Sequence, residues 1–107
     1  MKRFWKGFQS TKSAAPVRFK KHVIILYWDP KDPLSTTYRN GIRSQAIRHP
    51  SVSIKVVELG KDPTKASKHN ILSTPTVVLL KDGREVDRIS GADGTALLSM
   101  LFRKAQT

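Results

Sequence analysis

The chain has 107 residues, with 20 Lys and Arg against 8 Asp and Glu, a net charge of +12 and no cysteine. That length suits one domain with a modest core, and the missing cysteine excludes disulfides, thiolate metal sites, iron–sulfur ligation and any thiol nucleophile. No apolar run approaches the roughly 18 residues of a membrane span.

Seven of the cations precede Asp29, the first acid in the chain. Charge concentrated in this way attracts anionic partners: an acidic protein surface, DNA or RNA, and, ranked below these, an anionic membrane. Residues 1–16 read as a basic aromatic segment ahead of a domain over 17–107. Lys2, Arg3, Lys6 and Lys12 interleave with Phe4, Trp5 and Phe8, and Arg18, Lys20 and Lys21 extend the charge. The cations can contact phosphate or acid while the aromatics stack on bases or settle at a lipid interface. The alternative is that the aromatics pack on the domain as a short helix, since Phe4 and Phe8 lie one helical turn apart. No apolar stretch follows the basic start, as a secretory signal requires, so an intracellular setting is expected. The acid-free first 28 residues, containing several Ser and Thr, also fit a mitochondrial transit peptide, although Arg is scarce.

From Val17 to Trp28 the chain reads as a strand, with Val23-Ile24-Ile25-Leu26-Tyr27-Trp28 apolar on both alternating faces, as in a buried parallel strand. Asp32 and Pro33 supply an N-cap and a first helical residue, which predicts a helix over Pro33 to Arg48. Leu34, Tyr38, Ile42 and Ala46 mark its buried stripe, and Arg39, Arg43 and Arg48 reach solvent. Gly41 weakens it slightly. After His49-Pro50, Val52, Ile54 and Val56 alternate with Ser53 and Lys55 in a second strand through about Leu59. Asp62-Pro63 repeats the cap and proline for a short helix near Thr64 to His69, with Asn70 as a left-handed terminator. A third strand, Thr76 to Leu80, turns tightly at Lys81-Asp82-Gly83 and returns over Glu85 to Ser90. A final helix from about Asp93 to Ala105 places Leu97, Leu98, Leu101 and Phe102 on one face. The order predicts an α/β domain: a mixed sheet of about four strands, a parallel pair plus a C-terminal antiparallel hairpin, covered by helices.

This order and several local residues resemble the thioredoxin family across residues 17–105. Tyr27-Trp28 stands where the family's central strand ends. Asp62-Pro63 with Ala66, Lys68, His69 and Ile71 looks like the segment before its cis-proline. Thr74-Pro75-Thr76-Val77 and Lys81-Asp82-Gly83 look like the proline, strand and turn, and Gly91-Ala92 like the small pair before the last helix. The resemblance implies a cis peptide between Thr74 and Pro75. It also implies a shallow groove where an extended partner segment pairs with backbone, formed by Trp28, Pro30, Lys31, Asp32, Thr74, Pro75, Gly91 and Ala92.

The departures bear on function. The family's Cys-x-x-Cys aligns with Asp32-Pro33-Leu34-Ser35, and its buried acid aligns with Leu26, so the resemblance implies a member that cannot exchange disulfides, a reaction requiring a thiolate. No catalytic residue is expected, because none of His22, His49 and His69 lies near Ser35 in sequence to act as its base. Nor does the spacing of these histidines suggest a metal site. No cofactor or small-molecule substrate is expected. The chain is expected to be a non-catalytic binding or scaffold module in a larger assembly, such as a virion or ribonucleoprotein, anchored by its basic segment. Direct nucleic-acid binding is the alternative.

Overall fold

The computed structural model describes residues 22–61, 63–68 and 70–106. The first described strand, β1, spans His22–Trp28. Ile24 and Leu26 enter one core, with Val77, Leu79, Ile89, Tyr38, Ile42, Leu98, Leu101 and Phe102. Ile25 and Tyr27 enter a second, with Val57, Ile71 and Val78. A strand buried on both faces needs apolar residues at every position, and this explains the unbroken run.

Helix α1 covers Pro33–Arg48, strand β2 Ser53–Glu58, helix α2 Pro63–Lys68, strand β3 Thr76–Lys81 and strand β4 Arg84–Ser90. A 3₁₀ turn over Gly91–Asp93 precedes helix α3, Leu97–Ala105. The described strands form a sheet in the order β2-β1-β3-β4. β1 pairs parallel with β2 and antiparallel with β3, Leu26 facing Val56 on one side and Val77 on the other. β3 and β4 are antiparallel. This is the mixed sheet expected of the thioredoxin-like fold. Its hairpin turns on Asp82 at φ +52° and Gly83 at +83°, and two consecutive positive φ values are what a two-residue turn of type I′ requires.

Several boundaries and faces differ from the sequence reading. Leu34 was expected in the buried stripe of α1 and is 43% exposed, whereas Ser35 is fully buried with Tyr38 and Ile42. Positions spaced by four drift about 40° per step around a helix of 3.6 residues per turn, so a stripe from residue 34 to 46 slides off the core at both ends. Ser35, Tyr38 and Ile42, spaced three and four, hold the core line better. Gly41 lets α3 approach closely: a Cβ there would stand 2.8 Å from Leu98 Cδ1. In β2, Val56 shares the α1-facing side of the sheet with Ile54 yet is 46% exposed, because the small Ala46 across from it leaves it uncovered. The last helix begins at Leu97 rather than Asp93, since the Asp93 carboxylate accepts from Ser90 N at 2.8 Å and closes a separate turn. Asn70 has the expected positive φ, +56°, and its carbonyl accepts from Arg88 Nη1 at 3.1 Å.

The expected strand residues 17–21, the cap at Asp62, and the whole anionic-partner set of Lys2, Arg3, Phe4, Trp5, Lys6, Lys12, Arg18, Lys20 and Lys21 lie outside the described residues.

Candidate functional site

The loop from Asp29 to Asp32 leaves the C-terminal end of β1 and enters α1 through a chain of local hydrogen bonds. Asp32 N donates to Asp29 O at 2.9 Å, and Lys31 N to Asp29 Oδ1 at 2.9 Å. Asp32 then caps the helix, its Oδ1 accepting from Leu34 N at 3.1 Å. Its Oδ2 accepts from Ser35 Oγ at 3.0 Å, and Ser35 Oγ itself accepts from Asp29 N at 3.2 Å. Pro33 follows as the first helical residue, where no N–H is missed. The two positions that the resemblance sets against the Cys-x-x-Cys sulfurs, Asp32 and Ser35, are a carboxylate and a buried hydroxyl bonded to each other and to the helix start. A carboxylate suits this end of α1, where the helix dipole is positive.

Across from this turn, the Thr74–Pro75 peptide bond is cis, as the resemblance implies. Pro75 O accepts from Gly91 N at 2.9 Å. A Cβ on Gly91 would meet Pro75 Cδ at 2.8 Å and Leu34 Cδ2 at 3.0 Å, so only glycine lets these three residues close up. Tyr38 fastens the same corner to α1, its hydroxyl within 3.0 Å of Ser90 O and 3.1 Å of Gly91 O. Burial pushes the Tyr38 phenol pKa up, and the nearby Asp93 charge adds to this against a lowering backbone hydrogen bond at Gly94. Thr76 Oγ1 donates to Ser73 O at 2.8 Å, which holds the approach to the proline. Among the described residues no backbone hydrogen bond engages Thr74.

Of the groove residues read from the sequence, Pro75 and Gly91 meet directly, beside Leu34. Pro75 is buried, Thr74 and Gly91 half-buried, and Ala92, Pro30 and Lys31 exposed. Asp32 is committed to the cap. Trp28 packs on the main core, and the Arg39 guanidinium lies 4.6 Å over its ring. Leu34 and Leu72 were not among the expected groove residues. Leu72, 95% exposed, stands two residues before Thr74, and an isolated apolar residue abutting Ser73-Thr74-Pro75 is the signal that could have found it. The charge on the helix facing this site is basic, with no acid in α1. No group of three or more His, Asp or Glu among the described residues is arranged to hold a metal ion, and no described helix is long and apolar enough to cross a membrane.

No family model matches the chain. Among curated proteins it is similar to a thioredoxin of Chlamydia trachomatis, 34% identical over 65 residues that make up 61% of this chain and 64% of that protein. The matched stretches span between 36% and 64% of the length of the curated relatives. Among solved structures it is similar to the thioredoxin of Fasciola hepatica, with a TM-score of 0.71 and 27% identity over 79% of this chain and 83% of that one. The oxidised thioredoxin of Plasmodium falciparum superposes with a TM-score of 0.75 and 19% identity, covering 87% of this chain and 88% of that one.

Proposed function

We propose that this chain, a thioredoxin-like domain without a cysteine, works by non-covalent binding of a protein partner rather than by disulfide exchange. The observation that carries this reading is the contrast inside one site. The frame around Pro75 and Gly91 is intact, while the aligned sulfur positions hold Asp32 and Ser35 bonded to each other. Exchange needs a thiolate attacking sulfur, and the chain has none to offer. An extended partner segment could instead pair with the backbone of Thr74, which no described backbone group engages, a form of strand addition. The exposed Leu34 and Leu72 side chains would give such a segment apolar contacts on either side. The basic residues from Lys2 to Lys21 would tether the same partner, or a neighbour in its assembly, through acidic or phosphate groups.

The test is photo-crosslinking from position 72 in cells of the native source, with a benzophenone side chain replacing Leu72 and a second variant carrying it at Met100 on α3. The reading predicts a discrete protein adduct from position 72 that is absent from position 100 and unchanged by reductant. Adducts of equal yield from both positions, or none from position 72, would overturn it.

A second reading, direct nucleic-acid binding, is favoured by the net charge of +12. It predicts an affinity for DNA or RNA that falls steeply with salt, and a much shallower slope when Lys2, Arg3 and Lys6 are changed to Gln. Salt-insensitive or absent binding would remove it.

A further inference from the structure

A second surface lies between the outer face of α1 and strand β2. Arg39, Ile42, Arg43, Ala46, Ile54 and Val56 enclose a cleft of about 230 Å³. Its floor is apolar because Ile54 and Val56 face the α1 side of the sheet, in register with Ile24 and Leu26. Ala46 is too small to fill the space above them. The apolar surface continues outward: Val56 is 46% exposed, and Ile47, one turn beyond Arg43, is 79% exposed. Isolated exposed apolar residues are ordinary, but two of them beside an apolar cleft form a patch.

The rim is cationic. Arg39 and Arg43 stand one helical turn apart, about 6 Å along the axis. The Trp28 ring covers one face of the Arg39 guanidinium and fixes its position. No ion pair among the described residues engages either arginine, and the one acid on the two flanking elements, Glu58, lies 4.0 Å from Lys61. Guanidinium groups suit carboxylates because their planar donors can bind both oxygens at once.

Charge and size together select the occupant. The first 21 residues of this chain carry seven cations and no acid, and a second copy brings a net +12, so neither complements an arginine-rimmed cleft. The volume falls below the roughly 300–1,000 Å³ of small-molecule sites and fits one or two side chains. We propose that this cleft is a docking site for an acidic segment of a protein partner, which seats a large aliphatic side chain between Ile54, Val56 and Ala46 and sets flanking carboxylates on Arg39 and Arg43. The cleft shares no lining residue with the Pro75 groove, which it adjoins only through the Trp28–Arg39 stack, and it stands or falls independently of the function proposed for that groove.

The test uses the full chain, isotopically labelled, titrated with a soluble peptide in which one leucine is flanked by glutamates. Saturable amide shifts clustered over residues 39–47 and 53–57 are expected. Arg43→Glu, an exposed substitution, should weaken them on the order of tenfold, equivalent to about 1.4 kcal/mol, and Ala46→Trp should abolish them by filling the cleft. Leu72→Asp, which alters the Pro75 groove, should leave them unchanged. Absent or unsaturable shifts, shifts centred on 72–75 and 91–92, or full binding by Arg43→Glu would overturn the proposal. So would equal shifts from a peptide with alanine in place of the leucine, or from a single-stranded oligonucleotide, since these would reduce the site to its charge.

Discussion

Replacing Asp32 by Ala perturbs two bonds at once, and the structure sets the size of the effect. The carboxylate caps α1 through Leu34 N at 3.1 Å, and loss of such a cap costs about 1 kcal/mol. It also accepts from Ser35 Oγ at 3.0 Å, and Ser35 is fully buried. A buried hydroxyl left without its acceptor costs about 1–3 kcal/mol more. The expected loss is therefore about 2–4 kcal/mol, on the order of 10–20 °C in melting temperature for a chain of this size. Ser35→Ala removes the same bond together with the acceptor for Asp29 N, and should cost about 1 kcal/mol. Because both variants delete one shared bond, the double variant should be less unstable than the sum of the two by about 1 kcal/mol. Urea unfolding followed by circular dichroism measures all three. Additivity within about 0.3 kcal/mol, or a loss below about 0.5 kcal/mol for Asp32→Ala, would show that Asp32 and Ser35 do not form the unit described.

Gly91→Ala should destabilise by about 1–3 kcal/mol, because its Cβ would stand 2.8 Å from Pro75 Cδ; chemical denaturation reads this, and crosslinking from position 72 should fall with it. Tyr38→Phe removes the hydroxyl that joins α1 to the carbonyls of Ser90 and Gly91, at an expected cost of about 1 kcal/mol by the same assay. The Lys104 ammonium, 2.7 Å from Asp87 Oδ2, holds the Asp87 carboxyl below its ordinary value through its hydrogen bond, partly opposed by burial. A lowered folded-state pKa gives stability that is present above the unfolded-state value and lost as pH falls through the folded one. Lys104→Met should therefore flatten the acid limb of the stability curve. Both groups are substantially exposed, so the effect at neutral pH should stay below about 1 kcal/mol, and urea midpoints measured across the acid range would show it.

Elements set by local chemistry could be read directly from the chain. Asp32-Pro33 and His49-Pro50 bracket α1 at its observed ends. Asp82-Gly83 specifies the hairpin turn, whereas the cis bond at Thr74-Pro75 was legible only through the family resemblance. What stayed hidden depends on packing between distant residues. Ser35 is polar and reads as solvent-facing until Asp29 and Asp32 are seen to satisfy it, while Leu34, freed from the core, becomes part of the groove. Gly41 looks like a weak point in a helix until Leu98 fills the space its missing side chain leaves. The cleft over Ile54 and Val56 arises because a small residue, Ala46, faces them, and no spacing within either element announces that. The helix stripe misled for a geometric reason: a spacing of four only approximates the helical repeat.

The central claim is that this domain binds through the face around Pro75 without thiol chemistry. Amide hydrogen exchange on the complex isolated from its native source tests it most directly, compared with the free chain. The account predicts slowed exchange at Ser73, Thr74, Gly91 and Ala92 in the complex, unchanged after treatment with reductant and a thiol-alkylating agent. Protection that leaves these four amides untouched, or that vanishes on reduction, would contradict it.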